Sequence, residues 1–357
     1  MTIDEKYMAR CLQLAMNGRF GAAPNPMVGA VIVHEGRIIG EGYHRQCGGP
    51  HAEVNAVRSV KDERLLREST MYVSLEPCAH YGKTPPCADM IVEKGIPRVV
   101  IGCRDSFDQV DGKGIQKLRE AGVEVIVGVL EKECLELNKV FFTYHGKQRP
   151  YITLKWAQSA DGYIDLARNG AENEDKGEAV RFSTDETAIR VHRLRALSDA
   201  ILVGRRTAML DNPSLTTRMW PGANPLRLVI DRNGMLDRGL KLFDGTTKTI
   251  VFTEEIRDLG TSDNIEQVLL DFSCDILPQM MTYLHKHKVQ RLLVEGGSVL
   301  LQSFINIGLW DEAYVEEAPF SLDGGVKAPC MDEVYKKDEI ECFGHRIKHF
   351  LHEKHIF

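Results

Sequence analysis

His51-Ala52-Glu53, followed by Pro77-Cys78-Ala79-His80-Tyr81-Gly82-Lys83-Thr84-Pro85-Pro86-Cys87, is the stretch from which the first half of the chain is read. One imidazole and two thiols form a three-ligand set for zinc. Three protein ligands leave the fourth tetrahedral position open, which is the count of a catalytic rather than a structural centre. Glu53, two residues after the histidine, places a carboxyl group where protons must move if that position holds a water activated by zinc. Singly, each residue reads as structural, since a free cysteine is often just a small core residue. The ordered set, with a glutamate correctly placed, is what points to chemistry.

The order His-x-Glu, then Pro-Cys and a second Cys, is that of hydrolytic zinc deaminases, in which the glutamate is the acid/base and not a ligand. Deaminases acting on nucleobases usually carry Cys-x-x-Cys. Here eight residues separate Cys78 from Cys87. That longer loop contains His80 and Lys83, and a lysine is a suitable point-charge partner for phosphate.

Working outward, Tyr7, Met8, Cys11, Leu12 and Ala15 recur at helical spacing and predict an amphipathic helix over 4–17. Residues 28–33 and 37–43 read as two strands of a hairpin around Glu35-Gly36. A helix is expected to start at His51. Because residues i and i+2 do not share a helix face, His51 and Glu53 can converge only near that start. Strands over 70–75, 98–103 and 123–129 alternate with helices over 88–94, from Cys87, and 114–121. This alternation predicts a three-layer α/β sandwich. One helix is expected over 131–145, and the polar Gly146-Lys147-Gln148-Arg149-Pro150 reads as a joint between domains 1–146 and 147–357.

Beyond the joint, a strand over 151–157 and a turn at Asp161-Gly162 precede a polar loop over 166–178 and a helix over 185–197. Strands over 200–203, 226–231, 249–253 and 291–295 are continuous apolar runs, as in buried parallel sheets. No Gly-x-Gly-x-x-Gly fingerprint occurs. Instead Val294-Glu295-Gly296-Gly297-Ser298 joins a strand to a helix, where a phosphate can approach the backbone and the helix N-terminus favours negative charge. The segment 345–357 reads as a final strand.

A chain of 357 residues exceeds the usual size of a single core, which favours two domains. No apolar run is long enough to span a membrane, and Met1 to Gly18 carries scattered charges unlike a secretory signal. A net charge of −6 and a pI near 6.1 argue against broad nucleic-acid binding. Nine cysteines favour reduced thiols in the cytoplasm over a disulfide framework.

His-Ala-Glu with the long Pro-Cys…Thr-Pro-Pro-Cys loop resembles the deaminase half of the bifunctional deaminase/reductases of riboflavin biosynthesis. The second half is similar to their reductase half through Lys155-Trp156-Ala157-Gln158-Ser159-Ala160-Asp161-Gly162, the run Leu194 to Gly204, Thr207 and Asp211-Asn212-Pro213-Ser214-Leu215-Thr216-Thr217-Arg218. The resemblance implies a cytidine-deaminase-like three-layer α/β/α domain followed by a dihydrofolate-reductase-like α/β domain. It implies one zinc on His51, Cys78 and Cys87, with Glu53 catalytic, and Asn25, His44 and Lys83 binding a small phosphorylated pyrimidine. In the second half it implies Arg195, Leu215, Arg218 and Glu295 facing the substrate. Lys155, Ala157, Thr207, Asp211 and the turn Gly297, Ser298, Val299, Leu300, Leu301, Gln302 and Ser303 would face NADPH. A homo-oligomer is expected, with no nucleic-acid or membrane partner. The chain departs from the family pattern at Phe107, Ala179 and Arg181-Phe182-Ser183. Two rival readings are a tRNA or nucleobase deaminase with an accessory domain, and a deaminase whose second half is a vestigial nucleotide-binding regulator. The loop length and the acidic charge disfavour the first of these.

Overall fold

The computed structural model describes residues 1–79, 85–105, 112–168, 179–257 and 263–352. Lys83, Phe107 and most of the polar loop before Ala179 lie outside them. Contacts divide the chain into two compact units, Met1–Gln148 and Arg149–Phe357.

The first unit opens with α1 (Ile3–Ala15), started by a capping box between Thr2 and Glu5. A hairpin of β1 (Gly29–His34) and β2 (Arg37–Tyr43) follows. Then come α2 (Ala52–Ser59), β3 (Thr70–Leu75), α3 (Cys87–Glu93), β4 (Arg98–Cys103), α4 (Lys113–Glu120), β5 (Glu124–Val127), α5 (Glu131–Leu137) and α6 (Lys139–Lys147). The sheet order is β2-β1-β3-β4-β5, with β1 antiparallel to both neighbours and β3, β4 and β5 parallel. Successive strand residues point to opposite faces, so the sheet buries two separate cores. On one face Ile32, Val73, Val99 and Ile101 pack under Ala56 of α2, Ile91 of α3 and Leu118 of α4. On the other Val31, Tyr72 and Val100 pack under Met8 of α1, Cys134 of α5 and Phe142 of α6. That is the expected three-layer α/β/α arrangement.

The single helix expected over 131–145 is broken. Asn138 leaves the helical region (φ −109°, ψ 20°). Its buried amide accepts from the Met27 N–H (2.8 Å) and donates to the Met27 carbonyl (2.9 Å). These two long-range bonds repay the interruption, because a buried amide needs partners whatever the local propensity.

The second unit contains β6 (Tyr151–Gln158), β7 (Tyr163–Asp165), α7 (Asp185–Ala196), β8 (Ala200–Gly204), α8 (Arg205–Asp211), β9 (Leu226–Ile230), β10 (Thr249–Thr253) and β11 (Ile265–Leu269). It continues through α9 (Ile276–Lys286), β12 (Arg291–Glu295), α10 (Ser298–Asn306), β13 (Glu312–Glu317), β14 (Val326–Lys327), β15 (Lys336–Cys342) and β16 (His345–Leu351). Nine strands form one sheet in the order β11-β10-β9-β8-β12-β6-β13-β16-β15. All pairs are parallel until β13 meets β16 and β16 meets β15, which are antiparallel. Leu292 and Val294 of β12 enter a core with Met280, Leu284, Leu301 and Phe304. Leu293 enters the opposite one with Ile201, Ala208 and Val251. Strands buried on both faces produce the continuous apolar runs seen in the sequence.

Candidate active sites

In the first unit, the ends of β3 and the starts of α2 and α3 meet. His51 is the N-cap of α2, in extended conformation (φ −70°, ψ 168°), and Glu53 lies in that helix's first turn. The extended cap swings the imidazole back over the helix start, so two residues that cannot share a helix face do converge. Cys78 follows β3 after Glu76-Pro77, and Cys87 is the first residue of α3. The His51 Nδ1 lies 3.5 Å from Cys78 Sγ and 3.4 Å from Cys87 Sγ, and the three donor atoms all lie within 4.8 Å of one another. Tetrahedral zinc with ordinary Zn–S and Zn–N lengths requires N···S separations of about 3.6 Å. The donor set fits that ion in size, softness and count.

The electrostatics suit the same use. The Cys87 thiol, and then His51, hold Cys78 down to about 4, well inside the thiolate range. Cys87 Sγ sits at a helix N-terminus, which favours negative charge, but its hydrogen bond with Cys78, then burial, push its thiol up, so without a cation Cys78 is the thiol of the pair that ionises first. Glu53 is only 3% exposed. Burial, reinforced by the Cys78 thiolate, pushes its carboxyl up to about 7, against the opposing pull of His51 and Cys87. A carboxyl poised near neutrality can both accept and return a proton.

Asn25 and His44 flank this cluster. Asn25 Nδ2 lies 3.2 Å from His44 Nε2, and His44 Nδ1 lies 3.1 Å from the Pro50 carbonyl. A carbonyl only accepts, so Nδ1 carries the proton and Nε2 receives the Asn25 amide. Burial lowers the His44 pKa and so favours the uncharged ring. His44 meets His51 edge-on, with ring centroids 5.4 Å apart. Asn55, which the sequence reading missed, donates to the carbonyls of Tyr43 (2.9 Å) and Pro50 (3.2 Å) and so fixes the loop bearing His44.

In the second unit, the candidate residues gather at the carboxyl ends of β6, β8 and β12, where open α/β sheets bind ligands. Arg195 of α7 makes a bidentate pair with Glu295 at the end of β12 (Nη2–Oε2 2.7 Å, Nε–Oε1 3.1 Å), and its Nη1 donates to the Thr216 carbonyl (3.2 Å). Burial would raise Glu295, but Arg195 and Lys155 outweigh it and leave the carboxyl below its usual range. Lys155 sits opposite Glu295 in the β6–β12 ladder. Exposed Arg218 donates to Ser214 Oγ and, at 2.8 Å, to Thr216 Oγ1. Thr207 of α8 packs over the Gly296-Gly297 turn, which has left-handed φ of 95° and 73°. A Cβ on Gly296 would stand 2.9 Å from Thr207 Cγ2, so this cradle requires glycine. Val299 beside it is 85% exposed. Ala157 lies on β6 opposite Glu316.

The side chains of Leu215, Leu300 and Leu301 are buried where the sequence expectation had these residues facing ligands. Leu215 is 2% exposed and packs with Ile201 and Ala208. Its left-handed backbone (φ 51°) turns the side chain into the core, so only its main chain can face a ligand. Leu300 and Leu301 are core residues too, leaving Gly297, Ser298, Val299 and the partly exposed Gln302 and Ser303 as the accessible part of that turn. Asp211 is held by Arg168 (2.8 Å), which also pairs with Asp165. The departures are accommodated locally: Phe182 stacks on Phe320, Ser183 donates to Glu316 (2.5 Å), Arg181 pairs with Asp185, and Ala179 is exposed.

His192 of α7 was silent in the sequence. Its Nδ1 accepts the Arg218 main-chain N–H at 3.1 Å. Burial, then the charges of Arg195 and Arg218, lower its pKa below 6.5. Unfolded, the ring binds a proton more readily than folded. The stability it contributes is therefore fully present above the unfolded value and is lost as pH falls through the depressed folded one. Thermal denaturation of the second unit should lose stability below about pH 6.5, and His192→Gln should flatten that slope. Equal slopes in parent and variant would contradict it.

A family model described as the cytidine and deoxycytidylate deaminase zinc-binding region matches residues 1–103, and one described as the RibD C-terminal domain matches residues 150–348. The riboflavin biosynthesis protein RibD of Aquifex aeolicus is 39% identical over 333 residues, covering 91% of this chain and 89% of that protein. The Escherichia coli RibD is 35% identical over 343 residues, with 92% and 90% covered. Among solved structures, the diaminohydroxyphosphoribosylaminopyrimidine deaminase/5-amino-6-(5-phosphoribosylamino)uracil reductase of Thermotoga maritima superposes with a TM-score of 0.84 at 36% identity, covering 98% of each chain. Acinetobacter baumannii RibD does so with a TM-score of 0.84 at 32% identity, again covering 98% of each chain.

Proposed function

The chain belongs to the RibD family of riboflavin-biosynthesis proteins, and on that premise we propose how its residues divide the chemistry. It is a bifunctional enzyme, a zinc-dependent deaminase joined to an NADPH-dependent reductase. The first reaction removes the 2-amino group of 2,5-diamino-6-ribosylamino-4(3H)-pyrimidinone 5′-phosphate as ammonia. The second reduces the ribosyl group of 5-amino-6-(5-phosphoribosylamino)uracil to ribityl. We place the first in residues 1–146 and the second in residues 147–357, with the joint at Gly146 to Pro150.

When bound, zinc supplies Lewis-acid activation of water, and NADPH supplies the hydride. His51, Cys78 and Cys87 would hold the zinc. Glu53 takes a proton from the attacking water and returns it to the departing amine, the task for which a carboxyl near neutrality is matched. Asn25 and neutral His44 orient the pyrimidine, and Lys83 meets its phosphate. In the second half Arg195 and Arg218 clamp the sugar phosphate, because a guanidinium holds phosphate bidentately. Glu295 fixes Arg195, and the main chain at Leu215 borders the substrate. Lys155, Ala157, Thr207, Asp211 and the accessible residues Gly297, Ser298, Val299, Gln302 and Ser303 border the dinucleotide, whose phosphates suit the glycine cradle at the start of α10.

Among the described residues no helix is long and apolar enough to cross a membrane. We further propose a cytoplasmic homo-oligomer without a nucleic-acid partner, a reading supported by nine free cysteines and a net charge of −6.

The observation that carries the deaminase assignment is three zinc-type donors within 4.8 Å beside a buried glutamate. Metal analysis of the purified chain should find about one zinc per chain. Chelation should abolish deamination and leave reduction of the deaminated substrate intact. No zinc, or two tightly held zincs, would count against the site.

A further inference from the structure

Glu76 is a buried carboxylate in the first unit to which no role has been given so far. It is 4% exposed and lies two residues before Cys78. Its Oε1 accepts the main-chain N–H groups of Gly114 (3.0 Å) and Ile115 (3.2 Å), and its Oε2 those of Gly112 (3.1 Å) and Asp105 (3.3 Å). Four donors from the end of β4 and the start of α4 thus converge on one carboxylate. Three of them lie in the first turn of α4 or just before it, where N–H groups have no intrahelical partner and negative charge is favoured. The approach is close: a Cβ on Gly114 would stand 1.9 Å from the Pro77 carbonyl oxygen. On its other side the Cys78 main chain is tied to α3, since the Cys78 carbonyl accepts from the Ala88 N–H (3.1 Å) and Cys78 Sγ from the Cys87 N–H (3.4 Å). Cys78 is therefore gripped from two directions, and Glu76 makes one of the two grips.

We propose that Glu76 is a positioning residue of the deaminase centre: by locking Pro77-Cys78 onto the start of α4, it sets where the Cys78 thiolate stands relative to His51 and Glu53. Its carboxylate oxygens accept main-chain N–H groups, and it is not one of the three zinc-type donors. The proposal rests on the assignment of Cys78 as a metal ligand.

Glu76→Gln keeps the size and replaces one acceptor oxygen by an amide that faces two N–H donors. Outer-shell partners of metal ligands typically change metal affinity or activity about 10- to 100-fold. In the full-length variant, chelator-driven zinc release should accelerate by about that factor. The deaminase kcat should fall by about the same factor while KM changes little, and the visible spectrum of the cobalt-substituted protein should shift. Glu76→Asp, which keeps the charge but shortens the reach, should recover part of the kcat loss, and it decides the matter if the glutamine variant does not fold. A merely structural role predicts a lowered melting temperature with parental kcat, zinc release and cobalt spectrum in the folded protein, and that result overturns the proposal. Absence of zinc from the parent would instead overturn the site assignment, so the two failures are distinguishable.

Discussion

Glu53→Gln should lower deamination by two to four orders of magnitude, since a general acid–base group typically supplies that much, about 3 to 5 kcal/mol of barrier. The substitution keeps the side chain's size and shape and removes its ability to carry a proton. Glu53 is not among the three zinc-type donors, so zinc content should stay at the parental level. The burial that pushes the Glu53 carboxyl up to about 7 favours an uncharged side chain, so the variant should melt no lower than the parent. Supplied with the deaminated pyrimidine, it should oxidise NADPH at close to the parental rate. Intact deamination would mean that another group moves the proton. Lost zinc would mean that Glu53 holds the centre together.

The second large effect is expected for Arg195→Ala. Arg195 and Glu295 are both nearly buried, with side chains 13% and 12% exposed. Removing one partner of a buried pair leaves an uncompensated charge, which typically costs about 3 to 5 kcal/mol. The reductase half should therefore melt at a markedly lower temperature. Reduction should also weaken through KM by about 10- to 100-fold, the worth of a charge-assisted bidentate contact to phosphate. Glu295→Gln separates the two roles: it keeps the guanidinium and should lose less substrate affinity. Deamination should be parental in both variants. An Arg195→Ala protein with parental melting temperature and parental KM would remove Arg195 from the site.

The deaminase centre was legible because its chemistry demands fixed residue types in a fixed order. His51, Glu53, Cys78 and Cys87 have few substitutes, and the structure brings them together. The strands β6, β8, β9, β10 and β12 were legible because burial on both faces writes an uninterrupted apolar run. What stayed hidden depends on partners remote in sequence. β13 carries Glu312, Glu316 and Glu317, an unpromising composition for a buried strand. Glu316 accepts from the hydroxyls of Ser183 and Thr187, and Glu317 pairs with Arg346 and Lys348. β15, Lys-Lys-Asp-Glu-Ile-Glu-Cys, is an edge strand whose order comes from its ladder with β16. Charged residues on an edge guard against pairing with other chains. The break at Asn138 follows from Met27, far away in the chain. Glu76 was silent for a similar reason: its donors are main-chain N–H groups, which leave no mark in a sequence. Nor does the sequence show that Leu215 buries its side chain on a left-handed backbone (φ 51°), which leaves its main chain as the part to meet a ligand.

The central claim, that one chain carries two successive and separable catalysts, is tested most directly by mass spectrometry of the products formed by the purified, zinc-loaded protein. Given the diaminopyrimidine substrate without NADPH, it should accumulate the deaminated ribosyl compound and stop there. Addition of NADPH should convert that compound to its ribityl form, with one NADPH oxidised for each molecule reduced. Failure to deaminate with zinc bound, or failure to consume NADPH on the deaminated compound, would contradict the account.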